Sequence, residues 1–359
     1  MIHSIIAKQI ALCGHKAPSA DNSQPWHFSW DGSSLLIKYD TTRVENKTFP
    51  ASSPATLLSL GTAIENISLV SNDYNIANDL SIDFQNLSAT HVEAVIELKA
   101  TDQLTFLDLP NSHPVINRHT NRFSFLKKPL PKTTKNHLRA INKDSARLLI
   151  IEEQNQVNQI GDLVKLASNI RFQTKEVHEW LGKSLRFSEE DVKKADGLDV
   201  RTLDLPPGGS AFLKFISSWN RMKLLNQIGA YRLLAKIDAA PIKAAPALLA
   251  IIAPSTPQGA LHAGMLMCNA WTYLNKEDIA VHPYYVVADQ LARLRENSVP
   301  EQLISNAQDI EKRCQKVLDI KEGETLHMLL RVGYPKRAPT RSLRLPEELV
   351  FTDISNESP

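Results

Sequence analysis

Residues 17–30 read APSADNSQPWHFSW: a run of Pro, Ser, Asp, Asn and Gln set directly before an aromatic strand. Pro18 and Pro25 stiffen the run, and between them Ser19, Asn22 and Gln24 offer one hydroxyl and two amides. A planar heterocycle with alternating donors and acceptors along one edge needs such a preorganised polar set. Ser, Asp and Asn beside Pro are also ordinary turn residues, so the loop alone leaves both readings open. After it, WHFSW alternates aromatic with small or polar residues, Asp31-Gly32 signals a hairpin turn, and LLIKYD supplies the partner strand.

Outward from this loop, residues 4–14 carry helical periodicity, with Gly14 and Pro18 as the stop signal. Residues 53–72 open on a Ser cap and a Pro and read as a long apolar helix, 91–98 read as a strand, and this α+β unit ends near 110. A second unit runs from 111 through a helix at 132–142 and the strand ARLLIIEE into a mostly helical stretch, about 160–245, broken at DLPPGGS. It resumes with a buried strand (APALLAIIAP), a helix (GALHAGMLMCNAWTYL), a strand (IAVHPYYVV), a charged helix at 300–318 and a strand (TLHMLLRVGYP), then a basic tail. Both long apolar helices place Asn five residues after Gly, Gly61 to Asn66 and Gly264 to Asn269. The match suggests a duplicated unit; two unrelated buried helices with a small residue at a crossing would show it too.

The 359 residues are 43% hydrophobic, enough for a full core. Lys plus Arg (41) nearly cancels Asp plus Glu (39), so no nucleic acid and no anionic membrane is expected as the main partner, and a small molecule is. Cys13, Cys268 and Cys314 form no CxxC pair, and the 11 histidines show no ligand spacing, so neither a disulfide framework nor a metal site is expected. With no apolar run near the roughly 18 residues of a membrane span and no signal-type leader, a soluble chain in a reducing cytoplasm is the expectation.

Two further stretches carry charge. Arg118-His119-Thr120-Asn121-Arg122, if extended, puts two guanidinium groups and a hydroxyl on one side, a set suited to a phosphate and its polyol; a solvated basic edge has the same pattern. The tail after Gly333-Tyr334-Pro335 holds Lys336, Arg337, Arg341 and Arg344, with Arg331 just before it, and either closes over that phosphate or is merely solvated.

Together these stretches resemble one family, the FMN-dependent nitroreductases. APSADNSQPWHF is similar to the family's flavin loop, RHTNRFSF…PLP to its Arg-x-Ser/Thr-x-Arg/Lys segment, and MLLRVGYP…RLPEELV to its closing strand and basic tail, over roughly 1–155 and 245–352. The first unit has the Ser/Asn loop but no Arg segment; the second has the Arg segment but no second PSxxNxQPW. That division resembles the fused twin-domain, Acg-type branch. The resemblance implies an α+β, nitroreductase-like fold of two tandem halves, 1–110 and 111–359 with an insert at about 160–245, paired as an intramolecular pseudo-dimer. One flavin site would then be complete in a monomer, with homodimerisation optional.

The resemblance further implies FMN as cofactor. Arg118, Arg344 and Arg341 would meet the phosphate, and Thr120 the ribityl and pyrimidine side. Arg122 would lie by the N1/O2 edge, where positive charge favours the reduced flavin. Pro18, Ser19, Asn22 and Gln24 would hold the ring from the first half, and Pro283 would sit near the reactive N5. Tyr284-Tyr285 departs from the acidic residue and Gly the family often has there; Tyr284, with His282 beside it, is the candidate proton donor. The implied activity is hydride transfer through FMN from a reduced donor, NAD(P)H, to an unidentified organic acceptor. Flavin storage with little turnover, and FMN-dependent dehydrogenation of a biosynthetic intermediate, are the alternatives. The insert would act as a lid over the flavin or as a brace between the halves.

Overall fold

The computed structural model describes residues 2–44, 48–100, 104–141 and 145–355. Helix α1 (Ser4–His15) runs through the 17–25 loop into β1 (Trp26–Trp30) and β2 (Ser34–Tyr39), followed by α2 (Pro54–Asp73), β3 (Ile76–Ile82) and β4 (Glu93–Ala100). Trp26, Phe28 and Trp30 all point into the core, as the two-residue period of WHFSW requires. The hairpin is pinned by Asp31, whose Oδ1 accepts from the amides of Ser33 at 2.8 Å and Ser34 at 2.7 Å while Gly32 takes a φ of +100°.

The second unit begins with the short α3 (Pro114–Asn117), α4 (Lys132–Ala140) and β5 (Arg147–Ile151). The sequence places the end of α4 at Asn142, which lies outside the described residues. The insert holds α5 (Gln154–Arg171), α6 (Lys175–Ser184), the two-residue strands β6 (Leu185–Arg186) and β7 (Leu198–Asp199) flanking α7 (Glu189–Val192), then α8 (Gly209–Ile216), α9 (Trp219–Gln227) and α10 (Ala230–Lys243). The chain closes with β8 (Ala247–Pro254), α11 (Pro257–Lys276), β9 (Ala280–Tyr284), α12 (Val286–Arg295), α13 (Ile304–Leu318), β10 (Glu324–Gly333) and β11 (Phe351–Asp353). The strand expected over IAVHPYYVV stops at Tyr284. Val286 and Val287 open a helix instead, because Val287 and Leu291 bury together at helical spacing in the second core, and that burial outweighs β propensity.

Two larger sheets result, in the orders β11-β1-β2-β4-β3 and β5-β8-β10-β9, and β6 pairs in parallel with β7 inside the insert. β8 is buried along nearly its whole length, which explains its unbroken apolar sequence. The C-terminal β11 pairs in parallel with β1, so the tail crosses from the second unit back to the first sheet, a crossing the division at residue 110 does not anticipate.

Between the sheets lie α2 and α11, each 20 residues long. Each opens on a hydroxyl cap followed by Pro: Ser53 accepts from the Thr56 amide at 3.2 Å, and Thr256 from the Gly259 amide at 3.0 Å. The helices cross where glycine removes the side chain from both. A Cβ on Gly61 would overlap the Leu261 carbonyl oxygen, and one on Gly264 would overlap that of Leu58. The contact is reciprocal one turn further on, where Cys268 Sγ donates to Asn66 Oδ1 at 3.1 Å and Asn269 Nδ2 to Glu65 Oε1 at 2.8 Å.

Among the described residues, no helix is long and apolar enough to cross a membrane. Gly61→Ala sets two effects against each other. Alanine gains about 1 kcal/mol of helix propensity, whereas overpacking a backbone crossing costs about 3 kcal/mol or more. The expected outcome is a net loss of stability with a lower urea midpoint, and the same for Gly264→Ala.

Candidate functional site

The same two helices hold the two stretches that the sequence singles out. On the α2 side, Thr62 Oγ1 donates to the Pro18 carbonyl at 3.0 Å and Asn66 Nδ2 to the Cys13 carbonyl at 3.1 Å, fixing the exit of α1 and the start of the 17–25 loop. On the α11 side, Trp271 Nε1 donates to the His119 carbonyl at 2.9 Å, and Asn275 Oδ1 accepts from the His119 amide at 2.7 Å. The Arg118 guanidinium stacks over the Trp271 ring at 4.9 Å. From below, the buried Arg331 donates to the carbonyls of Arg122 at 3.1 Å and Phe123 at 2.7 Å, a supporting role for a residue read as part of the basic tail.

The loop itself is held in an uncommon conformation, with Asp21 (φ 47°), Asn22 (φ 59°) and Gln24 (φ 50°) all in the left-handed region. Asn and Asp tolerate that region; three such residues in four positions store strain that the surroundings must offset. Ser19 Oγ accepts from the Gln24 amide at 2.9 Å. The Gln24 side chain is wholly buried and clasps backbone on three sides, donating to the carbonyls of Asn22 and Ala195 at 3.0 Å each and accepting from the Leu345 amide at 2.9 Å.

Eight of the ten cofactor-binding candidates line one cavity of about 390 Å³. The loop contributes Pro18, Ser19 and Asn22, the Arg segment Arg118, Thr120 and Arg122, and the tail Arg341 and Arg344. Gln24 and Pro283 stand outside it: Gln24 is the clasp just described, and Pro283 sits in β9 opposite Leu330. Tyr284 packs in the second core with its hydroxyl pK raised by burial, and it does not line the cavity either. His282 is pushed well below its usual range by burial and by Arg331, so it is neutral.

Electrostatically the cavity is one-sided. Arg118 is 6% exposed, and burial pushes it down to about 10; burial together with Arg118 pushes Arg344 down to about 9. Both stay cationic at neutral pH. Lys16, a lining residue the sequence reading did not name, is lowered by burial and by Arg344. Its carbonyl joins the two arginines, accepting from Arg118 Nη2 at 2.7 Å and Arg344 Nη2 at 3.1 Å. Among the described residues no carboxylate acts on Arg118, Arg344 or Lys16, and the buried Nε atoms of both arginines have no partner. Buried charge without a counter-charge is costly, and an anion in the cavity would offset that cost. Position was the available signal for Lys16, which directly follows α1 and precedes the loop.

The tail and the insert close the walls. Arg344 Nη1 donates to Asn22 Oδ1 at 2.8 Å, and Asn22 Nδ2 donates to the Leu343 carbonyl at 3.1 Å, so tail and loop grip each other. From the insert, Trp180 Nε1 donates to Asp21 Oδ2 at 3.0 Å, Thr202 Oγ1 accepts from Arg122 at 3.3 Å, and Leu198 lines the cavity. Burial raises the Asp21 carboxyl, with Arg122 acting against it.

His15 sits behind the cavity wall, its Nδ1 accepting from Trp26 Nε1 at 3.0 Å and its Nε2 facing the Leu345 carbonyl at 3.1 Å. Burial lowers it from 6.5 to about 4. The unfolded chain therefore binds the proton across that window and the folded chain does not, so stability is whole above the ordinary value and falls as pH drops toward about 4. The expected loss is roughly 3 kcal/mol. Urea midpoints from about pH 7 down to about pH 4.5 check it: His15→Gln should show the flatter profile, while His327, also lowered to about 4, is common to both proteins.

No protein-family model matches the chain. It is 23% identical over 278 residues to an uncharacterized protein of Mycobacterium tuberculosis (strain CDC 1551 / Oshkosh); the match covers 76% of this chain and spans 38% of that relative's length. Among solved structures, an FMN-dependent nitroreductase from Clostridium difficile R20291 is similar at 13% identity and a TM-score of 0.35, over 66% of this chain and 95% of its own. A nitroreductase with bound FMN from Desulfitobacterium hafniense DCB-2 is similar at 12% and 0.38, over 68% and 98%. An iodotyrosine deiodinase bound to FMN and 3-iodo-L-tyrosine is similar at 13% and 0.35, over 64% and 92%.

Proposed function

We propose that this chain is an FMN-dependent oxidoreductase in which two tandem nitroreductase-like halves, fused as in the Acg-type branch, form a single flavin site. One observation carries the reading: Arg118 and Arg344, buried cations on which no carboxylate acts among the described residues, share a 390 Å³ cavity with a strained, amide-bearing loop. The volume falls in the usual range for a small-molecule site. Support for the tandem halves comes from α2 and α11, equal in length, capped alike and crossing reciprocally at Gly61 and Gly264.

In this reading Arg118, Arg344, Arg341 and Lys16 take the phosphate, whose charge offsets the desolvation of the two arginines. Thr120 meets the polyol chain, while Ser19 and Asn22 meet the ring edge. Arg122, lowered by burial and opposed by Asp21, keeps a cation at the inner end of the cavity. FMN, when bound, supplies hydride acceptance and donation at N5, with NAD(P)H as the reductant. The protein's part is to orient and to exclude water, and we assign no side chain as proton donor. The three free cysteines are all buried, consistent with a reducing compartment, and in this reading one chain would hold a complete site.

The insert favours a second reading, storage of flavin with little turnover. Its contacts from Trp180 to Asp21, Ala195 to Gln24 and Thr202 to Arg122 close over both cofactor-gripping stretches. Anaerobic mixing of the FMN-loaded protein with NADPH and NADH separates the two: rapid bleaching of the flavin absorbance supports turnover, and a flavin that stays oxidised supports storage.

Arg118→Ala should weaken FMN binding by about 10- to 100-fold, the worth of a charge-assisted hydrogen bond, and leave riboflavin binding nearly unchanged. Fluorescence titration with both ligands checks this, and equal loss for both would remove the phosphate assignment. Asn22→Asp places a carboxylate by the ring edge and should weaken FMN and shift its absorbance, while unchanged affinity and spectrum would move the ring elsewhere.

A further inference from the structure

Three consecutive insert helices leave large apolar side chains in solvent, paired at one-turn spacing on each. Phe212 and Phe215 lie on α8, Leu224 on α9 and Ile228 at its C-cap, and Leu233 and Ile237 on α10, with exposures between 49% and 83%. Scattered exposed hydrophobes are ordinary; three adjacent helices each presenting a spaced pair mark an interaction surface.

Charge accompanies this crest. From Gly208 to Lys243 there are six cations (Lys214, Arg221, Lys223, Arg232, Lys236 and Lys243) against one carboxylate, Asp238, which is paired with Arg171 at 3.2 Å. On α10, at about 100° per residue, Leu233, Ile237 and Ala240 fall within about 60°, and Lys236, Lys243 and Arg232 follow on one side. Those lysines lead into a cavity of about 740 Å³ between α5, α10 and residues 127–129, separate from the site already described. It is lined by Lys127, Lys128, Lys165, Lys236 and Lys243, and by Ala239, Ala240 and Pro246. Among the described residues one carboxylate lines it, Glu152, which is held by Lys135 at 2.9 Å, and Asp162 on α5 pairs with Lys243 at 2.5 Å, leaving the other four lysines to carry the positive charge.

We propose that α8 to α10 dock on an anionic lipid bilayer, the crest entering the headgroup boundary while the lysine-lined cavity takes lipid headgroups. Apolar side chains bordered by cations, with almost no acid among them, match the chemistry of a surface-lying amphipathic element. Charge also argues against a second copy as occupant, since a two-fold pairing of this face would set cations against cations. Overall balance conceals the feature, because 41 basic and 39 acidic residues nearly cancel over the chain while this surface is strongly basic. Bound flavin is not required, so the proposal stands or falls apart from the oxidoreductase reading.

Sedimentation of the full-length protein with vesicles of phosphatidylcholine alone, and of phosphatidylcholine mixed with phosphatidylglycerol, tests it. Binding is expected only to the mixed vesicles, weakening as salt rises. Lys165→Ala with Lys236→Ala should reduce it by more than about tenfold, and Ile228→Glu with Leu233→Glu should abolish it while far-UV circular dichroism is unchanged. Equal binding to both vesicle types, or to neither, overturns the proposal. So does a dimer in sedimentation velocity that Ile228→Glu dissociates, which would assign the crest to a second copy.

Discussion

Everything that brings the candidate site together depends on how closely α2 and α11 approach. At Gly61 and Gly264 each helix lays its backbone against a carbonyl of the other, and no other residue type fits either position. Each helix then grips one of the gathered stretches, α2 through Thr62 and Asn66 and α11 through Trp271 and Asn275. A shift at the crossing would move the loop relative to the Arg segment, because each is anchored to its own crossing helix by short hydrogen bonds, with Arg118 to the Lys16 carbonyl as a direct link between them.

On that frame the molecule concentrates positive charge where water is scarce. Arg118 is stacked on Trp271, Arg344 is held by Asn22, and both donate to the Lys16 carbonyl, an arrangement that orients the guanidinium groups without neutralising them. An ion pair to Asp or Glu would have been cheaper to fold. Among the described residues no carboxylate acts on Arg118 or Arg344, so their desolvation is not offset within the protein. The tail contributes twice, through the charge of Arg344 and through β11, whose pairing with β1 ties the closing segment to the first sheet.

Much of the site was legible because its residues come in short, chemically dense runs. Pro18, Ser19 and Asn22, or Arg118, Thr120 and Arg122, have composition and spacing that betray them before any fold is known. Gln24 belongs to the same run, yet its amide is spent on backbone at Asn22, Ala195 and Leu345, two of them far away in sequence. The resemblance put Pro283 near the flavin and made Tyr284 the candidate proton donor, while the ladder with β10 and burial in the second core keep them out of the cavity. Lys16 was overlooked because a lone lysine after a helix has no pattern.

The sequence by itself determined the α+β class, the two long capped helices, the buried strand within 245–254 and the identity of half the cavity residues, because period, capping and turn chemistry act over a few residues. Only the tertiary structure decided which side chains face the cavity, how far burial moves their charge, and that the tail returns to the first sheet. It also decided that the insert clasps the loop with one part while baring an apolar, basic crest with another. These depend on contacts between positions more than 300 residues apart, such as His15 and Leu345, and on exposure, which no local pattern encodes.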